Sequence, residues 1–202
     1  VLMSPLTFLA RPQRWLWAIH RHRGTLSAAP NFAYELCVSR IADKDIEGLD
    51  LSSWRQALNG AEAISAATMT AFSRRYARYG LREDAMLPVY GLAECAVGLA
   101  FSPLGRGPRI DVIDRQLLAR EGRAVVAPAG VPDEATRSVV ACGVPLPRHE
   151  LRVVVGLHDL DPRLDHVVGG AALAGVGEPR HALLHDGEEL VVVAGLVGRV
   201  PG

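Results

Sequence analysis

Short apolar runs at 25–29, 53–58 and 86–89 each end in a turn of small or ring-locked residues, and patterns of helical spacing fill the intervals. Two of the turns carry polar groups: Asn59-Gly60-Ala61-Glu62 and Tyr90-Gly91-Leu92-Ala93-Glu94. Strand–helix–strand alternation implies parallel pairing with helices packed on the sheet, so the chain reads as α/β. Pro12 suits the first turn of a helix over 12–23, with Trp15, Leu16 and Ile19 on one face and Gly24 as its stop. Pro30 and Asn31 open a second helix, with Phe32, Leu36, Cys37 and Ile41 at helical spacing. Ser65 is placed to cap a third, over 66–79. Its apolar stripe is Met69, Phe72, Tyr76 and Tyr79, and Arg74, Arg75 and Arg78 are expected to point mostly outward.

Beyond residue 100 the pattern weakens. Gly105, Gly107, Pro108, Pro128, Gly130 and Pro132 interrupt it, leaving one short helix near 114–121, an apolar run at 138–142 and a strand candidate at 150–155. Residues 151–202 contain no Ser, Thr, Asn, Gln, Lys, Ile, Met, Cys, Phe, Tyr or Trp. A core without aromatic, Ile or Met side chains has little with which to fill irregular space. Residues 1–155 are therefore read as the domain, and 156–202 as an irregular tail, out of frame or weakly structured, although 189–193 suits a strand.

Composition bounds the function classes. Apolar residues make up 49% and charged residues 22%, as in a globular domain, and the formal net charge is zero. No general attraction to nucleic acid or an anionic membrane follows. Cys37, Cys95 and Cys142 are odd in number and far apart, which suits reduced cytoplasmic thiols better than a disulfide frame. No run reaches the roughly 18 apolar residues of a membrane span, and the start does not read as a secretory leader. His181 and His185 have helical ligand spacing, but Ala182 stands where a zinc protease would carry glutamate.

The chemistry lies in the two polar turns. A carboxylate at the start of a helix, as expected at Glu94, is suited to hold Mg²⁺, which takes one or two protein carboxylates and keeps water and phosphate oxygens as its other ligands. The Tyr90 ring offers a face for a flat base, and Gly91 admits a close backbone approach. The same residues also suit a strand–turn–helix corner with a solvated glutamate, and 59–62 an ordinary loop after a strand. Phe32 and Leu36 suit the core as well as a substrate wall.

Together the two motifs resemble the adenylate-forming, AMP-binding superfamily, and the details resemble its long-chain fatty-acyl-AMP ligase branch. The run 25–37 (Thr-Leu-Ser-Ala-Ala-Pro-Asn-Phe-Ala-Tyr-Glu-Leu-Cys) resembles the acid-pocket segment of that branch, and 3–16 and 142–154 resemble its flanking runs. Ala93 replaces the threonine common in the wider superfamily, as it does in this branch. The resemblance implies a partial adenylate-forming N-terminal domain, a mostly parallel sheet flanked by helices, that uses ATP and Mg²⁺. It implies that Gly60, Ala61 and Glu62 lie along the adenine edge, with Tyr90, Gly91 and Ala93 beside the nucleotide. Glu94 would be the catalytic metal ligand, and Asn31, Phe32 and Tyr34 would face the acyl substrate.

The implied reaction activates a long-chain fatty acid to an acyl-adenylate. The acyl group then passes to an acyl-carrier protein or polyketide synthase. Segment 104–137 matches the position of the branch's insertion. The family's phosphate loop, its ribose-binding aspartate and its lysine-bearing C-terminal domain have no counterpart in 1–202. The chain is thus expected to be a fragment, inactive by itself; a non-catalytic remnant or half-domain of such an enzyme, or a fragment of an acyl-CoA ligase, are the alternatives.

Overall fold

Three short strands lie side by side in parallel: β1 (Leu26–Ala29), β2 (Gln56–Asn59) and β3 (Met86–Tyr90). Leu26 pairs with Gln56 and Ala57 with Met86. The computed structural model describes residues 1–93, 97–121, 123–147 and 149, and the backbone of Ala182–His185 and Glu189–Val192. The chain divides into two compact units, Val1–Val89 with Ser102–Arg109, and Tyr90–Phe101 with Ile110–Gly202.

In the first unit, the two crossovers are α3 (Asn31–Arg40), between β1 and β2, and α4 (Ala66–Ala77), between β2 and β3. This is the mostly parallel, helix-flanked sheet expected from the alternation. Two helices precede it, α1 (Pro5–Ala10) and α2 (Gln13–His22). The sequence pattern does not reveal the first of these: at six residues it is too short to display a periodicity, and it buries none of its side chains. Helix α2 buries Leu16 and Ile19 and ends at His22, two residues before Gly24, with Arg23 in the left-handed conformation (φ 49°). Arg23 also pairs with Asp50 at 2.5 Å.

The first unit closes on an aromatic core. Trp54, Tyr34, Tyr76 and Phe72 are fully buried. The Trp54 ring lies edge-on to Trp15 (5.2 Å between centroids) and Phe72 (6.0 Å), and stacks over Tyr34 at 6.5 Å. Edge-to-face contacts of this kind add about 0.5–1.5 kcal/mol each beyond area burial. Their polar ends are satisfied: the Trp15 indole donates to Ser27 Oγ at 2.9 Å, the Trp54 indole to the Gln56 carbonyl at 2.9 Å, and the Tyr34 and Tyr76 hydroxyls to the carbonyls of Leu58 (2.6 Å) and Cys37 (2.7 Å). Burial pushes the Cys37 thiol up to about 12 against the opposing pull of Arg75. That matches a core thiol rather than a reactive one.

Arg75 departs from the outward position expected of it. Its guanidinium turns to the end of α3, donating to the carbonyls of Val38 and Ile41, and pairs with Asp43 at 2.9 Å. The last carbonyls of a helix lack intrahelical partners, and a cation there is also favoured by the helix dipole. Arg78 does lie at the surface, pairing with the same Asp43 at 2.6 Å.

In the second unit, β4 (Ala100–Phe101) pairs antiparallel with β7 (Val144–Pro145), and β5 (Ile110–Asp114) with β6 (Thr136–Val140). Helix α5 (Arg115–Glu121) follows β5 directly. Asp114 Oδ1 starts it by accepting from the amides of Gln116 (2.7 Å) and Leu117 (2.9 Å). Ile113, Leu118, Val139 and Ala141 form a small core beneath. Of this segment the sequence pattern exposes the helix and part of β6 but not β5, whose five residues are hemmed in by Pro108 and α5.

Strands β8 (Ala182–His185) and β9 (Glu189–Val192) pair antiparallel, so 189–192 of the run at 189–193 is strand, as its pattern suggests. His185 lies on strand backbone, which removes the helical spacing from His181, itself outside the described residues. The strand candidate at 150–155 also lies outside them.

Phe72→Ala removes a fully buried ring from the centre of the aromatic core. It is expected to cost about 3–5 kcal/mol in urea unfolding followed by tryptophan fluorescence. Arg75→Met, which keeps the aliphatic stem but leaves two carbonyls without their donor, is expected to cost about 2 kcal/mol in the same measurement.

Candidate functional site

In the first unit the loop after β2 and the start of α3 are joined by side chains. Pro30, the residue before α3, offers no side-chain acceptor to the first amides of the helix. Glu62 supplies one across space: its Oε1 accepts from the Phe32 amide at 2.6 Å. An anion at a helix N-terminus is also favoured by the dipole. Asn31 Oδ1 accepts from the Ser65 amide at 3.0 Å and from Asn59 Nδ2 at 3.3 Å. Ser65 in turn caps α4, its Oγ accepting from the Thr68 amide at 3.2 Å.

The loop between these bonds has a constrained backbone. A Cβ on Gly60 would lie 2.7 Å from Val89 Cγ2 and 2.8 Å from the Val89 carbonyl oxygen, so only glycine fits. Ala61 adopts φ 67°, the left-handed region, which costs an L-residue roughly 1–2 kcal/mol. Asn59 is fully buried, and its Oδ1 has no hydrogen-bond partner. An unpaired buried acceptor costs about 1–3 kcal/mol. Strain and an orphaned acceptor within three residues are features that cluster at functional sites.

The three residues expected on the acyl side separate. Phe32 is 43% exposed and presents a face at the start of α3. Tyr34 is fully buried, its hydroxyl donating to the Leu58 carbonyl at 2.6 Å, and burial, then the nearby Cys37, hold its phenol well above the ordinary range. Its ring belongs to the aromatic core rather than to a cavity wall. Asn31 is 7% exposed, with its oxygen turned to Asn59 and Ser65. Helical spacing assigns residues 31, 32 and 34 to different directions on a turn, and the core claims the direction of Tyr34.

In the second unit, Tyr90 ends β3 half-buried, and burial, then Cys142, raise its phenol pKa. A Cβ on Gly91 would lie 1.5 Å from the Val97 carbonyl oxygen, so glycine is demanded here by the chain's own backbone, with or without a ligand. The Val97 amide donates to the Leu92 carbonyl (3.1 Å) and the Leu99 amide to the Tyr90 carbonyl (2.9 Å). These bonds tie Tyr90 and Leu92 to Val97 and Leu99, which lead into β4 at Ala100. The start of the helix expected at Glu94 lies outside the described residues, and Val97 is left-handed (φ 72°), so no helix runs through residue 97. Ala93 is exposed, and Glu94 lies outside the described residues. Among the described residues no group of three His, Cys, Asp or Glu side chains could hold a metal ion.

Sequence reasoning misses Asn59 and Ser65 as members of this arrangement. Asn59 is visible as the first residue of its motif, but nothing local links it to a residue 28 positions upstream.

Residues 1–170 match the family of AMP-binding enzymes. The medium-chain-fatty-acid–[acyl-carrier-protein] ligase JamA of Moorena producens is 39% identical over 153 residues, 76% of this chain and 26% of that protein. The 4-hydroxyphenylalkanoate adenylyltransferase of Mycobacterium tuberculosis is 45% identical over 119 residues, 59% of this chain and 19% of that protein. Among solved structures, the fatty acyl-adenylate ligase from L. pneumophila in complex with acyl adenylate and pyrophosphate has a TM-score of 0.65 at 36% identity, covering 71% of this chain and 25% of that one. The chain thus spans about a fifth to a quarter of the length of the curated relatives it matches. With two motifs, a parallel-sheet fold and these matches in agreement, the chain belongs to the AMP-binding enzyme family.

Proposed function

We propose that this chain is part of an enzyme that activates a long-chain fatty acid with ATP, forming an acyl-adenylate and pyrophosphate. Support comes chiefly from the position of its two motifs: each begins where a strand of a parallel sheet ends, at Asn59, the last residue of β2, and at Tyr90, the last residue of β3. Ligands of open α/β sheets bind outside the carboxyl ends of the strands. The loop 60–62 takes the edge of the adenine, largely through backbone groups of Gly60, Ala61 and Glu62. The half-exposed Tyr90 ring stacks on the base, and Gly91 and Ala93 keep the approach free of bulk. Phe32 provides apolar surface for the acid.

In such a reaction a carboxylate oxygen attacks the α-phosphorus while pyrophosphate leaves, so two anions meet. Fixed donors and a cation are needed to offset their repulsion. Glu94 is assigned to Mg²⁺, which would supply that charge when bound beside the phosphates. The likeness to JamA, whose name gives an acyl-carrier protein as acceptor, supports a carrier protein as the partner that receives the acyl group. A polyketide synthase is the setting we assign to that carrier. The buried thiols of Cys37 and Cys142 fit a cytoplasmic setting; among the described residues no helix is long and apolar enough to cross a membrane.

Adenylation depends on groups acting as a unit, and this chain spans a minor share of its relatives. Hydroxamate trapping with ATP, Mg²⁺ and a long-chain acid is therefore expected to yield no product from the chain alone; robust turnover would show that the catalytic set is smaller than proposed. Binding is expected to survive. A non-hydrolysable acyl-sulfamoyl adenosine should bind in titration calorimetry, and Tyr90→Ala should weaken it about tenfold, the worth of one base–aromatic stack. Unchanged affinity in that variant would remove Tyr90 from the site.

A further inference from the structure

We propose that Asn31, Asn59 and Glu62 form a latch that sets the conformation of the loop 60–65 from the start of α3, making Asn31 a positioning residue for the nucleotide-side loop rather than a contact for the acid. The inference rests on the reading of 60–62 as that loop.

The argument starts from what can only donate. The Ser65 amide is a donor, so the Asn31 atom facing it at 3.0 Å is the carboxamide oxygen. That oxygen also faces Asn59, which must therefore present its Nδ2 (3.3 Å). The orientation leaves Asn59 Oδ1 buried with no donor. The molecule thus forgoes a hydrogen bond on one side of Asn59 to keep the one to Asn31. Glu62 adds a second tie, from the middle of the loop to the Phe32 amide at 2.6 Å. Between the two ties stands Ala61 in a left-handed backbone, held without the freedom of glycine. Gly60 on one side is seated against Val89, and Ser65 on the other caps α4. The loop is over-determined at both ends, and each side-chain tie runs to the first turn of one helix. Phe32, the residue with exposed apolar surface, is on that same turn. A shift of the α3 start reaches the loop through three hydrogen bonds, so the two sides of the site cannot adjust independently.

Asn31 acts here purely as an acceptor, which gives the test its form. Asn31→Asp keeps an oxygen for both donors; Asn31→Leu keeps the volume and loses both. Native-state hydrogen exchange on the full chain, without ligand, is expected to show the Ser65 amide exchanging at least about tenfold faster in Asn31→Leu and near the original rate in Asn31→Asp, with core amides of α4 unchanged. Because Glu62 is exposed, Glu62→Ala folds even if Asn31→Leu does not. It should release the Phe32 amide by a similar factor, while Glu62→Gln retains it. Titration with AMP is expected to show a loss of about fivefold or more in Asn31→Leu and Glu62→Ala.

Unchanged exchange at Ser65 and Phe32 would overturn the latch. So would faster exchange spread evenly through α4 and β2, which marks Asn31 as a general stabiliser. Weakened binding of a fluorescent fatty acid with AMP affinity intact would overturn it too, returning Asn31 to the acyl side. If the original chain binds no AMP while the exchange pattern is as expected, the nucleotide reading fails and the latch stands.

Discussion

Trp54 is fully buried among the rings of Trp15, Tyr34 and Phe72, and these rings come from α2, α3 and α4. A shift of any of the three helices along its axis would break these contacts. The strands they cover are only four or five residues long, and short strands hold few ladder bonds. Their alignment is therefore maintained by aromatic packing more than by the sheet itself. With β2 and β3 held in register, Asn59 and Tyr90 reach the ends of their strands, and the two motif turns begin there.

The backbone around those turns is demanding. Gly60 and Gly91 are both excluded from carrying a side chain by the chain's own atoms, at Val89 and at Val97. Glycine in each motif is thus explained before any ligand is considered. Ala61 and Val97, by contrast, hold left-handed conformations without being glycine. Surroundings must enforce such a state. For Ala61 they are identifiable in Asn31, Asn59 and Glu62, which bind the loop to the start of α3.

Much of the architecture is legible from spacing. The cap at Ser65, the buried stripe of Met69, Phe72 and Tyr76, and the parallel order of the first three strands agree with the pattern. So does the α/β class, with its family resemblance. What escapes is short or inward-turning. Helix α1 and strand β5 are too brief to show a period. The basic residue at 75 reads as surface on charge alone, yet its guanidinium is committed to the carbonyl end of α3. Of the acyl-side trio, Phe32 alone has substantial exposure, because Tyr34 fills the core and Asn31 is drawn to Ser65 and Asn59.

By itself the amino-acid order determined the longer helices α2, α3 and α4, the three parallel strands between and after them, and which chemical groups ride on the turns. Those properties depend on neighbours within one or two turns of chain, through periodicity, caps and glycine. Tertiary structure alone decided the partners: Glu62 for the amide of Phe32, Asn31 for Ser65, Arg75 for the end of α3. Their partners stand 30, 34 and 37 residues away along the chain. A hydrogen bond needs its donor and acceptor within about 3 Å and well aligned. Across such a span that meeting is set by how the packed helices and strands bring the two groups together, and no local pattern encodes it.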